Sequence, residues 1–81
     1  MKLMITNNGD YAGMRHLTFP IVMDSTTAHC VNGLVKVTVA EMEKVGYDFQ
    51  AGHQPGDRPD TTGRDGWLAF VIGLEAEIIG Q

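Results

Sequence analysis

Residues 1–23, MKLMITNNGDYAGMRHLTFPIVM, read as two apolar strands enclosing an Asn-Asn-Gly-Asp turn and a Tyr-Ala-Gly corner, so the chain opens as a compact β unit. Lys2 to Thr6 is predicted as the first strand, with Leu3 and Ile5 on one face by the two-residue alternation of a pleated strand. Asn8-Gly9 ends it, because Asn and Gly tolerate positive φ. The second strand, Leu17 to Asp24, is predicted to carry Phe19, Ile21 and Met23 on one face. Pro20 donates no backbone hydrogen bond and places this strand at an edge or beside a bulge.

Working outward, Ser25 to His29 is polar and reads as a solvated loop, and Cys30 reads as a small buried hydrophobe. Cys30-Val31-Asn32-Gly33 is a turn signal leading into a short strand, Leu34 to Val37. Thr38 then caps a two-turn helix whose third position is Glu41, giving the reciprocal Thr-x-x-Glu capping box, with Val37 and Met42 as its hydrophobic staple. Val39, Met42 and Val45 share one helix face, Lys44 lies in the last turn, and Gly46 supplies the left-handed stop.

From Gln50 to Gly66 the periodicity vanishes: QAGHQPGDRPDTTGRDG holds four Gly, two Pro, three Asp, two Arg and no large apolar residue. A loop of this length is uncommon in a small domain and is usually functional or disordered. With nothing large to bury, it is expected to be replaceable by a short linker without loss of the fold. Trp67 to Ile72 follows as an apolar strand, Gly73-Leu74 fits a tight turn, and Glu75 to Ile79 is predicted to return as the hairpin partner. Trp67, Ala69 and Val71 alternate with Leu68, Phe70 and Ile72, so both faces of this strand are apolar and ask for cover, which points to a homo-oligomer. These elements make an α+β, mostly β fold: a small antiparallel sheet or open barrel of four to five strands with one short helix. The 81 residues are read as a single domain, 1–81, with the long loop at 50–66.

Composition bounds the function. The chain is 43% hydrophobic and 20% charged with a net charge of −4, ordinary for a globular domain. Its six Lys and Arg are dispersed and its aromatics few, which disfavours general nucleic-acid binding by a basic stripe or stacking platform. The ten carboxylates are equally scattered, so DNA mimicry is disfavoured. One cysteine excludes an internal disulfide and suits a reducing cytosol. No apolar run approaches the ~20 residues of a membrane span, and no secretory leader is seen, so the chain is read as cytoplasmic and without membrane partners.

No catalytic, metal or cofactor pattern stands out. His16, His29, His53 and Cys30 lack the paired spacing of zinc ligands. Ser25, His29 and an Asp could be drawn as a triad, but adjacent residues of an extended segment point to opposite faces, so His29 and Cys30 do not reach each other. Asp57, Asp60 and Asp65 lack the ligand spacing and closing Glu of a calcium loop. The chain is therefore read as a non-enzyme with no cofactor and no metal. The loop suits anion recognition better: Arg58 and Arg64 offer planar donor forks, Thr61 and Thr62 offer hydroxyls, and the glycines expose backbone N–H groups.

The order of motifs resembles a family of small accessory proteins of tailed bacteriophages. The matching positions are Asn8, Gly9, Tyr11, Gly13, Phe19, Pro20, Ile21 and Val22, then Val39, Glu41, Met42 and Gly46, and finally Phe70, Glu75, Glu77, Ile78 and Ile79 in a closing Glu-rich hairpin. About half the chain is covered, and no catalytic residues come with the family. The resemblance implies a counter-defence protein that inhibits or sequesters a host component by non-covalent binding, in the cytoplasm of the infected bacterial cell. Partner contacts are expected at loop 50–66, the corner from Tyr11 to His16, and an exposed strand edge. The alternative is a homo-oligomeric sponge for a small phosphate-bearing nucleotide, with Arg15, His16, Arg58, Thr61, Thr62 and Arg64 brought together across subunits.

Overall fold

A computed structural model describes residues 1–56, 58–60 and 63–80. The opening strand, β1 (Lys2–Ile5), lies at the centre of an antiparallel sheet. Its neighbours are β2 (Ile21–Asp24) and, from the far end of the chain, β6 (Ala76–Gly80). A second antiparallel sheet has β4 (Leu34–Thr38) between β3 (His29–Val31) and β5 (Trp67–Val71). The α+β, mostly β class read from the sequence is the class observed, with six strands shared between two sheets and one short helix, α1 (Val39–Lys44), among the described residues.

Alternation sets the core. Leu3 and Ile5 of β1, Val35 and Val37 of β4, and Leu68 and Phe70 of β5 are fully buried, and they meet Met14, Met23, Tyr47, Ala76 and the helix residues Val39 and Met42 in one cluster. In β1, β4 and β5 every second side chain is buried, as in half-buried pleated strands. Pro20 stands immediately before β2, which is an edge strand, where its missing N–H breaks no ladder bond.

The helix begins where its cap predicts. Thr38 is extended, at φ −65° and ψ 149°, and its hydroxyl accepts from the Glu41 N–H at 3.4 Å. Gly46 takes φ +114°, past the end of the helix. The capping box is only half made, however, because the Glu41 carboxylate turns away from Thr38. It accepts instead from the hydroxyls of Ser25, Thr26 and Thr27 and from the Thr26 and Thr27 N–H groups. The segment expected to loop outward is thus drawn against the helix, and Ser25 is only 3% exposed. A carboxylate satisfied by several donors outcompetes one reciprocal backbone bond.

Two further expectations are corrected. Cys30 is exposed, because residues 29–31 form the edge strand β3, closed onto β4 by a two-residue turn at Asn32 (φ 50°) and Gly33 (φ 81°). The closing hairpin does not form: β5 pairs with β4 and β6 with β1. Between them the chain coils tightly, with the Leu74 and Glu75 N–H groups both donating to the Val71 carbonyl, at 3.2 and 2.8 Å. The Glu75 side chain accepts from the Val71 N–H at 2.7 Å, occupying the edge that a hairpin partner would have used. β6 instead completes β1, whose second side would otherwise be an unpaired edge.

Candidate functional site

The corner after β1 is built by side chains imitating backbone. The Asn7 and Asn8 carboxamides accept from the N–H groups of Gly9 and Asp10, both at 2.8 Å, and these two residues take φ near +60°. Tyr11 follows, its ring edge-on to Phe70 at 5.7 Å. Its hydroxyl donates to the Ala69 carbonyl at 3.0 Å and accepts from the Ala69 N–H at 2.9 Å. Burial first, with the nearby Glu75 and Asp60 charges adding to it, pushes the Tyr11 phenol above its ordinary value. A 3-10 turn, Ala12–Met14, anchors the corner through the buried Met14, and Arg15 and His16 leave it exposed.

The loop from 50 to 66 is fastened to this corner by Asp60. Its carboxylate accepts from the N–H groups of Ala12 and Gly13, at 3.2 and 3.0 Å, and from the Tyr47 hydroxyl at 2.9 Å. Its own N–H donates to Gly52 at 2.9 Å, within a second 3-10 turn, Ala51–His53. Burial and the Asp60 carboxylate together raise the Tyr47 phenol strongly, because a phenolate there would be both desolvated and repelled. The backbones come close: a Cβ added at Gly52 would lie 2.5 Å from both Asp60 Oδ2 and the Tyr47 oxygen. Several donors at the corner thus depend on the loop, a dependence its composition does not indicate, so its replacement is expected to cost stability.

Between corner and loop lies a cleft of about 550 Å³, lined by Asp10, Tyr11, Ala12, Arg15, Arg58 and Asp60 among others. Arg15 and Arg58 form no ion pair among the described residues. The Asp60 carboxylate is shared among three donors, so it is a brace rather than a competing partner for the two guanidinium groups.

Of the site residues expected from sequence, Tyr11, Arg15 and Arg58 are brought together in this cleft, whereas His16 and Arg64 line a neighbouring groove. His16 Nε2 is 2.8 Å from the Gly46 carbonyl. Arg64 is bound 2.6 Å from Glu43 and lies over the Phe49 ring at 4.3 Å, so its fork is engaged within the molecule. Thr61 and Thr62 lie outside the described residues. Sequence reasoning missed Asp60 and Tyr47 as the brace; the only trace was an acid beside Pro59 in a glycine-rich run, with nothing to indicate its partners.

The fold and site together define a small two-sheet protein with a braced, arginine-flanked cleft. Searches of protein-family models, curated proteins and solved structures match none to this chain. Among the described residues no three His, Cys, Asp or Glu side chains group to hold a metal ion, and no helix is long and apolar enough to cross a membrane.

Proposed function

We propose that this chain is a non-covalent binding protein of the phage accessory type its sequence resembles, which inhibits or sequesters a host component by gripping an acidic group of it in the Arg15–Arg58 cleft. The observation that carries this reading is that two arginines far apart in sequence, without an ion pair among the described residues, line one cleft beside the Asp60 brace. Guanidinium forks match carboxylate and phosphate oxygens in geometry as well as charge. The Tyr11 ring and the exposed backbone of the corner add flat contact area beside them. Counter-defence in the cytoplasm of an infected bacterium is the role this reading assigns.

The test is capture of partners from a bacterial host lysate on immobilised protein, comparing wild type, Arg15→Ala/Arg58→Ala and Arg64→Ala. A protein retained by wild type and Arg64→Ala but lost by the double variant supports the reading. Equal retention by all three moves the contact away from the cleft.

The cleft volume favours one alternative, a phosphate-bearing nucleotide, since a few hundred Å³ is the size of a small-ligand site. That reading now rests on Arg15 and Arg58, as His16 and Arg64 belong to the other groove. Thermal shift against cyclic di- and trinucleotides distinguishes it, because a ligand at 100 times its Kd adds about 2.7 kcal/mol of stability.

A further inference from the structure

The two sheets present four free strand edges, and three are guarded. On β5, the Tyr11 hydroxyl occupies the N–H and carbonyl of Ala69, while the Glu75 carboxylate and the tight turn occupy those of Val71. β2 is entered through Pro20, and β6 is bulged where its register with β1 shifts between Lys2 and Leu3. Capping side chains, prolines and bulges are the ordinary means by which a sheet edge is kept from pairing with another chain. β3, only three residues long, carries none of them among the described residues. All three of its residues, His29, Cys30 and Val31, are exposed.

We infer that β3 is the dimerisation edge of this protein, pairing antiparallel with β3 of a second copy about a two-fold axis at Cys30. An antiparallel strand laid against itself is self-complementary, so one exposed edge suffices for a closed dimer. The hairpin is closed by Val31 and Leu34 around a two-residue turn, so the alternation of an antiparallel ladder directs the Cys30 N–H and carbonyl away from β4, toward the free edge. Two copies then exchange both bonds at Cys30 and form one six-stranded sheet.

In that register His29 of each copy lies opposite Val31 of the other, and no like charges oppose each other. His29 and Val31 also share the outer face with Leu34, Val71 and Trp67, the last 43% exposed with the His29 ring edge-on at 4.9 Å. Edge pairing makes this apolar face continuous across the axis. Packing the faces directly together is disfavoured, because Lys36 lies in the middle of each, paired to both His29 and Ala69. This surface is separate from the Arg15–Arg58 cleft and stands or falls without it.

Sedimentation equilibrium from about 10 to about 500 µM, a range suited to a small interface, tests the inference. Wild type and Cys30→Ser are expected to dimerise alike, while Cys30→Glu, which sets two carboxylates against each other at the axis, weakens association by about fivefold or more. Cys30 is exposed, so the melting temperature of dilute Cys30→Glu should match wild type. Hydrogen exchange on the unmodified protein gives an independent reading: protection of the Cys30 N–H should rise with concentration. A wild type that stays monomeric throughout, a dimer or larger assembly unaffected by Cys30→Glu, or Cys30 exchange independent of concentration overturns it.

Discussion

Two carboxylates, Asp60 and Glu41, each fasten a segment that has no large apolar side chain of its own, the 50–66 loop and Ser25–Thr27. Asp60→Ala would leave the Ala12 and Gly13 N–H groups and the Tyr47 hydroxyl without their acceptor, at an expected loss of about 2–3 kcal/mol in chemical denaturation. Asp60→Asn, which keeps one carbonyl oxygen, should lose about half as much. Glu41 gives a pH signature. Burial opposes its ionisation, but the Ser25 and Thr27 hydroxyls and the Thr26 and Thr27 N–H groups outweigh burial and hold its pKa at about 2, below the ordinary 4.5. A carboxyl depressed on folding contributes its stability in full above the unfolded value and loses it as pH falls through the folded one. Stability should therefore decline between about pH 4.5 and about pH 2, and Glu41→Gln should flatten that part of the profile, read from denaturation midpoints across pH.

At the scale of elements, α1 rests on its two ends. Thr38→Ala removes the acceptor of the Glu41 N–H and is expected to cost about 1 kcal/mol. Gly46→Ala should cost at least as much, since Gly46 has φ +114° and an added Cβ would stand 2.6 Å from the Leu17 side chain. Equal midpoints for wild type and both variants would contradict this helix placement. The loop is a firmer case. Replacing Gly52 to Arg64 with a Gly-Ser linker deletes Asp60 and its backbone bond to Gly52, together with the Arg64–Glu43 pair, so the melt should fall by about the same amount as for Asp60→Ala or more. A linker variant as stable as wild type would show the brace to be dispensable.

Over the whole molecule, stability and binding should separate cleanly at two residues: Arg15→Ala and Arg58→Ala lie on exposed side chains with no ion pair among the described residues and are expected to change stability by less than about 0.5 kcal/mol. What was legible in the sequence was local. The alternation of Leu3 and Ile5, the Asn32-Gly33 turn, the Thr38 cap and the Gly46 stop each follow from interactions within a few residues, and each is observed where those interactions require it. Strand partnership was not legible, because Trp67 to Val71 has the same apolar pattern whether its neighbour is β6 or β4. Only the need of β1 for a second partner, with Glu75 folded onto the β5 edge, sends the last strand to the other sheet. The site divides in the same way. The sequence determined that Arg58 and Arg64 carry planar donor forks in a polar segment, as their residue types and surroundings dictate. Which arginines share a cleft and which is spent on Glu43 was decided by the tertiary structure alone, since the bonds from Asp60 to Ala12 and Gly13 join segments nearly fifty positions apart that no local rule connects.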